Sequence, residues 1–252
     1  MALALRAAGL SRPPEPAAAV SADDDPRHSD PRVLAAWREN AAAWTQAVRA
    51  RAIESRRLVT DAAVLAAVAR LQPRSALDLG CGEGWLTRAL RAQGVAADGV
   101  DAIGELIDAA RRADPAAPPQ RYARLSYEDI AAGALDARYD LIVCNFSLLG
   151  GAAVDALLRA LPARLRDGGH VLIQTLHPLS ACGDAPYRDG WRDGSWAGCD
   201  GAFGEPAPWY FRTLGGWLRM LDDSGLRLRA LEEPVHPLSE KAASLILCAA
   251  AA

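Results

Sequence analysis

The run Leu77-Asp78-Leu79-Gly80-Cys81-Gly82-Glu83-Gly84 constrains the fold of this 252-residue chain more than any other segment. An apolar strand pattern, Ser75 to Leu79, enters a glycine-dense turn, and a helix-like segment from Trp85 to Gln93 follows at once. Glycines at 80, 82 and 84 permit positive φ angles and let a ligand touch bare backbone. The helix start after them is expected to offer unpaired N–H groups to that ligand. An α/β protein builds a nucleotide-type pocket in this way, at the carboxyl end of its first strand.

Spacing separates the ligand classes that use such turns. A dinucleotide fingerprint requires G-x-G-x-x-G. Gly80 and Gly82 fit, but the sixth position is Trp85, and the pattern is G-x-G-x-G with Asp78 two residues ahead of it. A carboxylate there repels a pyrophosphate and attracts a cation. S-adenosylmethionine, with an ammonium, a sulfonium and no phosphate, matches that charge logic. A second acid, Asp101, closes the strand-like Ala97-Asp98-Gly99-Val100-Asp101, 21 residues after Gly80. That is close to the roughly 20 expected of an acid that takes ribose hydroxyls.

LDLGCGEG resembles the first motif of the class I S-adenosylmethionine-dependent methyltransferases, of small-molecule type. The resemblance covers residue 70 or so to the C-terminus. It implies a Rossmann-like, seven-stranded, mostly parallel sheet of order 3-2-1-4-5-7-6, its last strand antiparallel, with helices on both faces. It also implies that Asp78, Gly80, Cys81, Gly82, Asp101 and Ala102 hold the cofactor, with Ser126 and Tyr127 at the adenine edge. Asn145 and Phe146, after strand four, would line the methionine part.

The order of elements agrees with that fold. Asp30-Pro31 reads as a helix start with Asp as cap, leading to a helix to about Arg51 and a second from Ser55 to Leu71. Strands are expected at 75–79, 96–101, 120–125, 139–145 and 170–176. Helices are expected at 84–93, 103–113, 128–133 and 152–166. The alternation implies a parallel sheet. After a helix at 213–224, strands 226–233 and 242–250 are joined by too short a turn for a helical crossover, so they pair antiparallel.

Residues 1–29, rich in Ala and Pro with Asp23-Asp24-Asp25, read as a flexible tail. No secretory signal is recognisable there. Residues 30–71 form N-terminal helices that close the cofactor pocket, and 72–252 the methyltransferase domain with a lid insertion at about 178–212. In the N-terminal helices, Trp37, Asn40 and Trp44 share a face. Trp44 is assigned to the cofactor pocket, and Arg57 is selected to clamp the methionine carboxylate.

Strand five runs out at Thr175-Leu176-His177-Pro178, and strand ends on this face carry the active site. His177 is the histidine placed to take an acceptor's proton; the alternative is a strand cap. Ser126 followed by Asp129 also reads as a capping box, a role that can coexist with adenine contact. Residues 178–212 carry Tyr187, Trp191, Trp196, Trp209, Tyr210 and Phe211 among glycines and prolines. A long irregular loop is usually functional or disordered, and the aromatics argue against disorder. It reads as a lid over a small apolar or aromatic acceptor.

The net charge of −3 argues against a general nucleic-acid surface. Asn145-Phe146-Ser147-Leu148 also departs from the Asn-Pro-Pro-Tyr type of base-methylating enzymes. No apolar run approaches the roughly 20 residues of a membrane span. Five cysteines without CxxC spacing suit reduced thiols in the cytoplasm and no metal site. The reading is therefore a methyltransferase acting on a small-molecule acceptor. A cofactor-binding regulatory protein without catalysis is the alternative, and a nicotinamide-dependent oxidoreductase is disfavoured by Trp85. Neither the acceptor atom nor the oligomeric state is encoded legibly.

Overall fold

The computed structural model describes residues 25–252. A seven-stranded sheet carries the domain, formed by β1 (Ser75–Leu79), β2 (Ala96–Asp101), β3 (Tyr122–Arg124), β4 (Tyr139–Asn145), β5 (Leu165–Thr175), β8 (Leu226–Glu232) and β9 (Leu245–Ala251). Their order is β3-β2-β1-β4-β5-β9-β8. The first five pair in parallel, whereas β9 is antiparallel to both β5 and β8. With β9 and β8 as the seventh and sixth strands of the main sheet, the expected order and the expected antiparallel pair are both present.

Strand periodicity explains why both faces are covered. Ile142 and Cys144 of β4, Val171 and Ile173 of β5, and Leu245 and Leu247 of β9 join one core with α6 (Ala152–Ala160) and α8 (Leu214–Asp223). The alternating residues Leu141, Val143, Leu172 and Ile246 join a second core with α2 (Asp61–Leu71) and α3 (Trp85–Ala92). At the first-strand end, α4 (Gly104–Ala113) receives α1 (Asp30–Arg49), whose Ala41 packs on Ile103 and Leu106.

Departures from expectation have local causes. The helix expected to Arg166 ends at Ala160 and tightens to a 3-10 turn over Leu161–Arg164, because Pro162 lacks an amide donor. β5 begins five residues early. It pairs Leu165 with Tyr139 and resumes at His170 after a register shift spanning Gly168, whose φ is +74. The segment after Ser55 opens with a π-helical turn, Arg56–Thr60, before α2. Asp30 caps a helix other than its own: Ser29 is the N-cap residue of α1, while the Asp30 carboxylate accepts from Gly151 N (2.7 Å) and Ala153 N (2.9 Å) at the start of α6.

The lid has regular structure where an irregular loop was expected. It contains α7 (Pro178–Cys182) and an antiparallel pair, β6 (Gly190–Arg192) with β7 (Trp209–Phe211). Of the expected tail, residues 1–24 lie outside the described residues, and the rest departs from expectation: His28 is packed, its Nε2 2.9 Å from Asp193 Oδ1.

Candidate active site

A cavity of about 980 Å³ opens at the carboxyl ends of β1, β2, β4 and β5, between α1 and the lid. Its floor is the glycine turn. Gly80, Gly82 and Gly84 have φ of +76, +57 and +82, so all three use the left-handed region that glycine alone enters cheaply. Gly80 has a second reason to lack a side chain. A Cβ there would overlap Ser147 Cβ and come within 3.1 Å of Tyr127 Oη. The neighbours that enforce this are tied together: Tyr127 Oη donates to Ser147 O (2.8 Å), and Ser147 Oγ donates to Leu79 O (2.7 Å).

Four amides of the turn, those of Gly80, Cys81, Gly82 and Gly84, are spent internally. Gly80 N and Cys81 N both donate to Val100 O, at 2.8 and 2.9 Å. Gly82 N donates to Asp101 Oδ2 (2.9 Å), Gly84 N to Cys81 O (3.0 Å) and Thr87 N to Asp78 Oδ2 (3.0 Å). A phosphate cradle needs several such N–H groups free. This turn presents bare backbone instead.

The two acids do different work. Asp101 lines the cavity, and its other oxygen accepts from Ile103 N (2.9 Å). Burial raises its carboxyl above the ordinary value, opposed by those backbone hydrogen bonds. Each oxygen keeps a lone pair for a ligand hydroxyl. Asp78 stands behind the turn and does not line the cavity; Thr87 N and Thr87 Oγ1 both donate to it, the latter at 2.7 Å. It thus ties the end of β1 to the first turn of α3, the position of a dipole-stabilising cap.

Burial pushes the Asp78 carboxyl up to about 7, from 3.8. The folded state therefore holds the proton more tightly than the unfolded state. Stability from this group is greatest below about pH 4 and declines as pH rises to about 7, at up to about 1.4 kcal/mol per pH unit. Asp78→Asn, whose carbonyl can still accept from Thr87, is expected to raise Tm relative to the parent at pH 8. Melting curves should show that advantage shrinking toward pH 4.

Glu83, which the sequence reading did not single out, anchors the turn behind the cavity. It is only 1% exposed, yet it ion-pairs with Arg88 (2.8 Å) and with Arg49 of α1 (3.0 Å). Arg49 also donates to Ala109 O (3.0 Å), so one side chain fixes α1 to the turn and to α4. An acid inside the turn and an arginine ending a preceding helix were the only signals available.

Of the other expected residues, Cys81, Ala102, Tyr127, Asn145, Phe146, Trp44 and His177 all line the cavity. Burial raises the Cys81 thiol and the Tyr127 phenol well above their usual values, so both stay neutral. Phe146 sits at φ +52, a strained conformation for an aromatic residue, of the kind that clusters at functional sites. The buried Asn145 Oδ1 has no hydrogen-bond partner among the described residues. Ser126 does not line the cavity. It caps α5 (Tyr127–Ala131) in a reciprocal box with Asp129, so its hydroxyl is spent on Asp129 N (3.1 Å).

Arg57 is likewise outside. It is 48% exposed and 3.9 Å from Glu54, whereas its neighbour Arg56 lines the cavity. The π turn accommodates an extra residue and changes which side chain faces inward. Arg56 Nε donates to Asp61 (3.0 Å), and its guanidinium lies 4.6 Å from the Trp85 ring centroid.

His177 is 5% exposed and its Nε2 lies 2.7 Å from Glu233 Oε1. A carboxylate only accepts, so Nε2 carries a proton; in the neutral ring Nδ1 is then the lone-pair acceptor. Nδ1 has no partner among the described residues. Glu233 follows β8 and was not anticipated, since 56 residues separate it from His177.

The lid is clamped to α1. Asn40 donates to Glu205 O (3.0 Å) and accepts from Gly204 N (2.7 Å). Trp196 packs edge-on to Trp37 and stacks on Phe203, and Ile53 bridges to Cys199. At the other end, Arg212 donates to Gly150 O (2.8 Å) and Gly151 O (3.0 Å), on the loop that Asp30 also grips. The aromatic lid residues buttress one another around a cavity that stays open.

No group of His, Cys, Asp and Glu among the described residues is placed to hold a metal ion. The groups that are present fit S-adenosylmethionine: bare backbone at Gly80 and Gly82, a carboxylate at Asp101, and the acceptor oxygen of Asn145.

Comparison with known proteins agrees with the geometry. Residues 44–231 match the profile of the Methyltransferase domain family. No curated protein matches the chain in sequence. Among solved structures, the DhpI complex with S-adenosylhomocysteine is 18% identical, covers 88% of this chain and 96% of its own, and has a TM-score of 0.57. The glycopeptide N-methyltransferase MtfA, complexed with S-adenosylhomocysteine, is 17% identical over 73% of this chain and 86% of its own, with a TM-score of 0.57. An S-adenosylmethionine-dependent methyltransferase from Clostridium acetobutylicum is 16% identical over 75% of this chain and 89% of its own, with a TM-score of 0.56. With the profile spanning most of its length, the chain belongs to the methyltransferase domain family and has the class I S-adenosylmethionine-dependent methyltransferase fold.

Proposed function

We propose that this protein transfers a methyl group from S-adenosylmethionine to a small-molecule acceptor held under the lid. One observation carries the reading: a glycine turn with four of its amides internally committed opens into the same cavity as Asp101 and the Asn145 acceptor. That combination suits a phosphate-free nucleoside bearing an ammonium and disfavours a dinucleotide.

Gly80, Cys81 and Gly82 would support the cofactor, Asp101 its ribose, and Tyr127 and Phe146 its flat surfaces. Arg56, rather than Arg57, would meet its carboxylate, with Trp44 and Trp85 alongside. When bound, S-adenosylmethionine supplies an electrophilic methyl group on a sulfonium. The chain's own residues then have two tasks, alignment of the acceptor and removal of its proton. Alignment contributes up to roughly 7–11 kcal/mol in favourable intramolecular systems. Closure of the lid on α1 excludes water, and His177 Nδ1 accepts the proton, with Glu233 orienting the ring.

Residues 30–71 act in this scheme as a cap, 72–252 as the catalytic domain and 178–212 as the lid. Five free cysteines fit a reducing compartment, the cytoplasm, and no helix among the described residues is long and apolar enough to cross a membrane.

The test is transfer of labelled methyl from S-adenosylmethionine into cell extract, with the product identified by mass. A labelled small molecule that depends on His177 supports the reading; no labelled product from the protein against any extract contradicts it. Arg56→Ala is expected to weaken S-adenosylhomocysteine binding by roughly tenfold or more, as for loss of a charge-assisted hydrogen bond. Calorimetry should find Arg57→Ala unchanged.

A further inference from the structure

Six of the seven tryptophans in this chain line the one cavity. Trp44 and Trp85 lie by the glycine turn, while Trp37, Trp191, Trp196 and Trp209 belong to α1 and the lid. The lid indoles are braced from behind: Trp191 against Tyr210, Trp196 against Phe203 and Trp209 against Phe211, with centroids 5.6, 4.2 and 5.7 Å apart. Such bracing holds walls in place and leaves the cavity open.

The polar groups of that cavity favour positive charge. Apart from Asp101 and Arg56, which the proposed cofactor takes, three carboxylates line it, Asp30, Glu128 and Asp193, against one guanidinium, Arg192. Arg192 lies over Phe211 and donates to Pro186 O (2.7 Å), while Asp30 accepts from Gly151 N and Ala153 N and Asp193 lies 2.9 Å from His28 Nε2. Besides Asn145, given to the cofactor, the buried polar side-chain atoms on the cavity wall without a partner among the described residues are Thr60 Oγ1, His177 Nδ1 and Arg192 Nε. Thr60 Oγ1 and, in the neutral ring, His177 Nδ1 can accept a hydrogen bond from an ammonium.

We infer that the acceptor is an amine, bound as its ammonium form among the indoles of α1 and the lid, and methylated on nitrogen. Tryptophan faces are the best aromatic partners for a cation, and cages of them are a recurrent way of holding substituted ammonium groups. Resting on the methyltransferase reading, this assigns the acceptor class at the same site. The ammonium gives one proton to His177 Nδ1, and the freed lone pair forms the new C–N bond as the methyl's bond to sulfur breaks. Sulfur retains that electron pair as a thioether. The methylated nitrogen keeps its positive charge, which the indoles and carboxylates also stabilise.

Two ligands of equal shape separate charge from bulk: benzyltrimethylammonium and its neutral carbon isostere, neopentylbenzene. Their binding is read by quenching of tryptophan fluorescence and by calorimetry, with and without S-adenosylhomocysteine, with phenylacetate as the anionic counterpart. The cation should bind about tenfold tighter than the isostere, within the range of desolvated cation–π contacts, and phenylacetate more weakly than either. Trp191→Leu, checked for folding by its melting curve, should reduce that preference severalfold. Equal or tighter binding of the neutral or anionic ligand, or no binding of the cation, overturns the inference. Binding of S-adenosylhomocysteine in the same samples tests the methyltransferase reading separately.

Discussion

Gly80→Ala is expected to lose S-adenosylhomocysteine affinity by at least about 30-fold, roughly 2 kcal/mol, and to melt lower than the parent. The backbone at φ +76 costs an L side chain about 1–2 kcal/mol. The added methyl also collides with Ser147, which cannot retreat freely because its hydroxyl is bound to Leu79 O and its carbonyl to Tyr127. Overpacking of this kind costs about 1–3 kcal/mol. At roughly 2–4 °C per kcal/mol for a domain of this size, Tm should fall by about 5–15 °C. Gly94→Ala is the control. It has φ +86 but nothing within 4 Å of the new methyl, so it should lose some stability and keep the parent's affinity. Calorimetry on the two variants separates a cofactor cradle from a merely strained turn.

His177→Ala is expected to lower turnover by roughly 10²–10⁴, the usual worth of a positioned general base. Affinity for S-adenosylhomocysteine should stay within about twofold, because His177 is assigned to the acceptor. Glu233→Gln preserves a hydrogen-bond partner for Nε2 and removes the charge that favours the protonated ring. Loss of one charged hydrogen bond, about 1.5–3 kcal/mol, predicts a fall in turnover of about 10- to 100-fold. If the two variants combined lose no more than His177→Ala alone, the carboxylate acts through the imidazole. A structural role would instead appear as a lowered Tm with normal turnover.

The fold was legible in the sequence because its signals are local and repeated. Alternation in Leu141-Ile142-Val143-Cys144 places successive residues in the two cores on opposite faces of the sheet. The short joint after Glu232 forces an antiparallel pair. The glycine turn was legible too, since its conformations require glycine. What could not be read is where side chains turn over long separations. Asp30 has the sequence signature of a cap and is one, for a helix 121 residues further on. Arg57 and Arg56 are adjacent, and only the π turn decides which faces inward. Asp78 sits at the expected strand end, yet Thr87 draws its carboxylate behind the turn. Glu233 becomes the partner of His177 only once β8 lies beside β9 and β9 beside β5. The lid's aromatics were visible, but the β6–β7 pair and its clasp through Asn40 depend on contacts that no short-range pattern encodes.

Calorimetry of the full chain with S-adenosylhomocysteine and, separately, with NAD tests the central claim most directly. The committed turn amides, Asp101 and the Asn145 acceptor predict one-to-one binding of S-adenosylhomocysteine, weakened by Gly80→Ala, and no heat with NAD. Binding of NAD with none of S-adenosylhomocysteine would contradict the account.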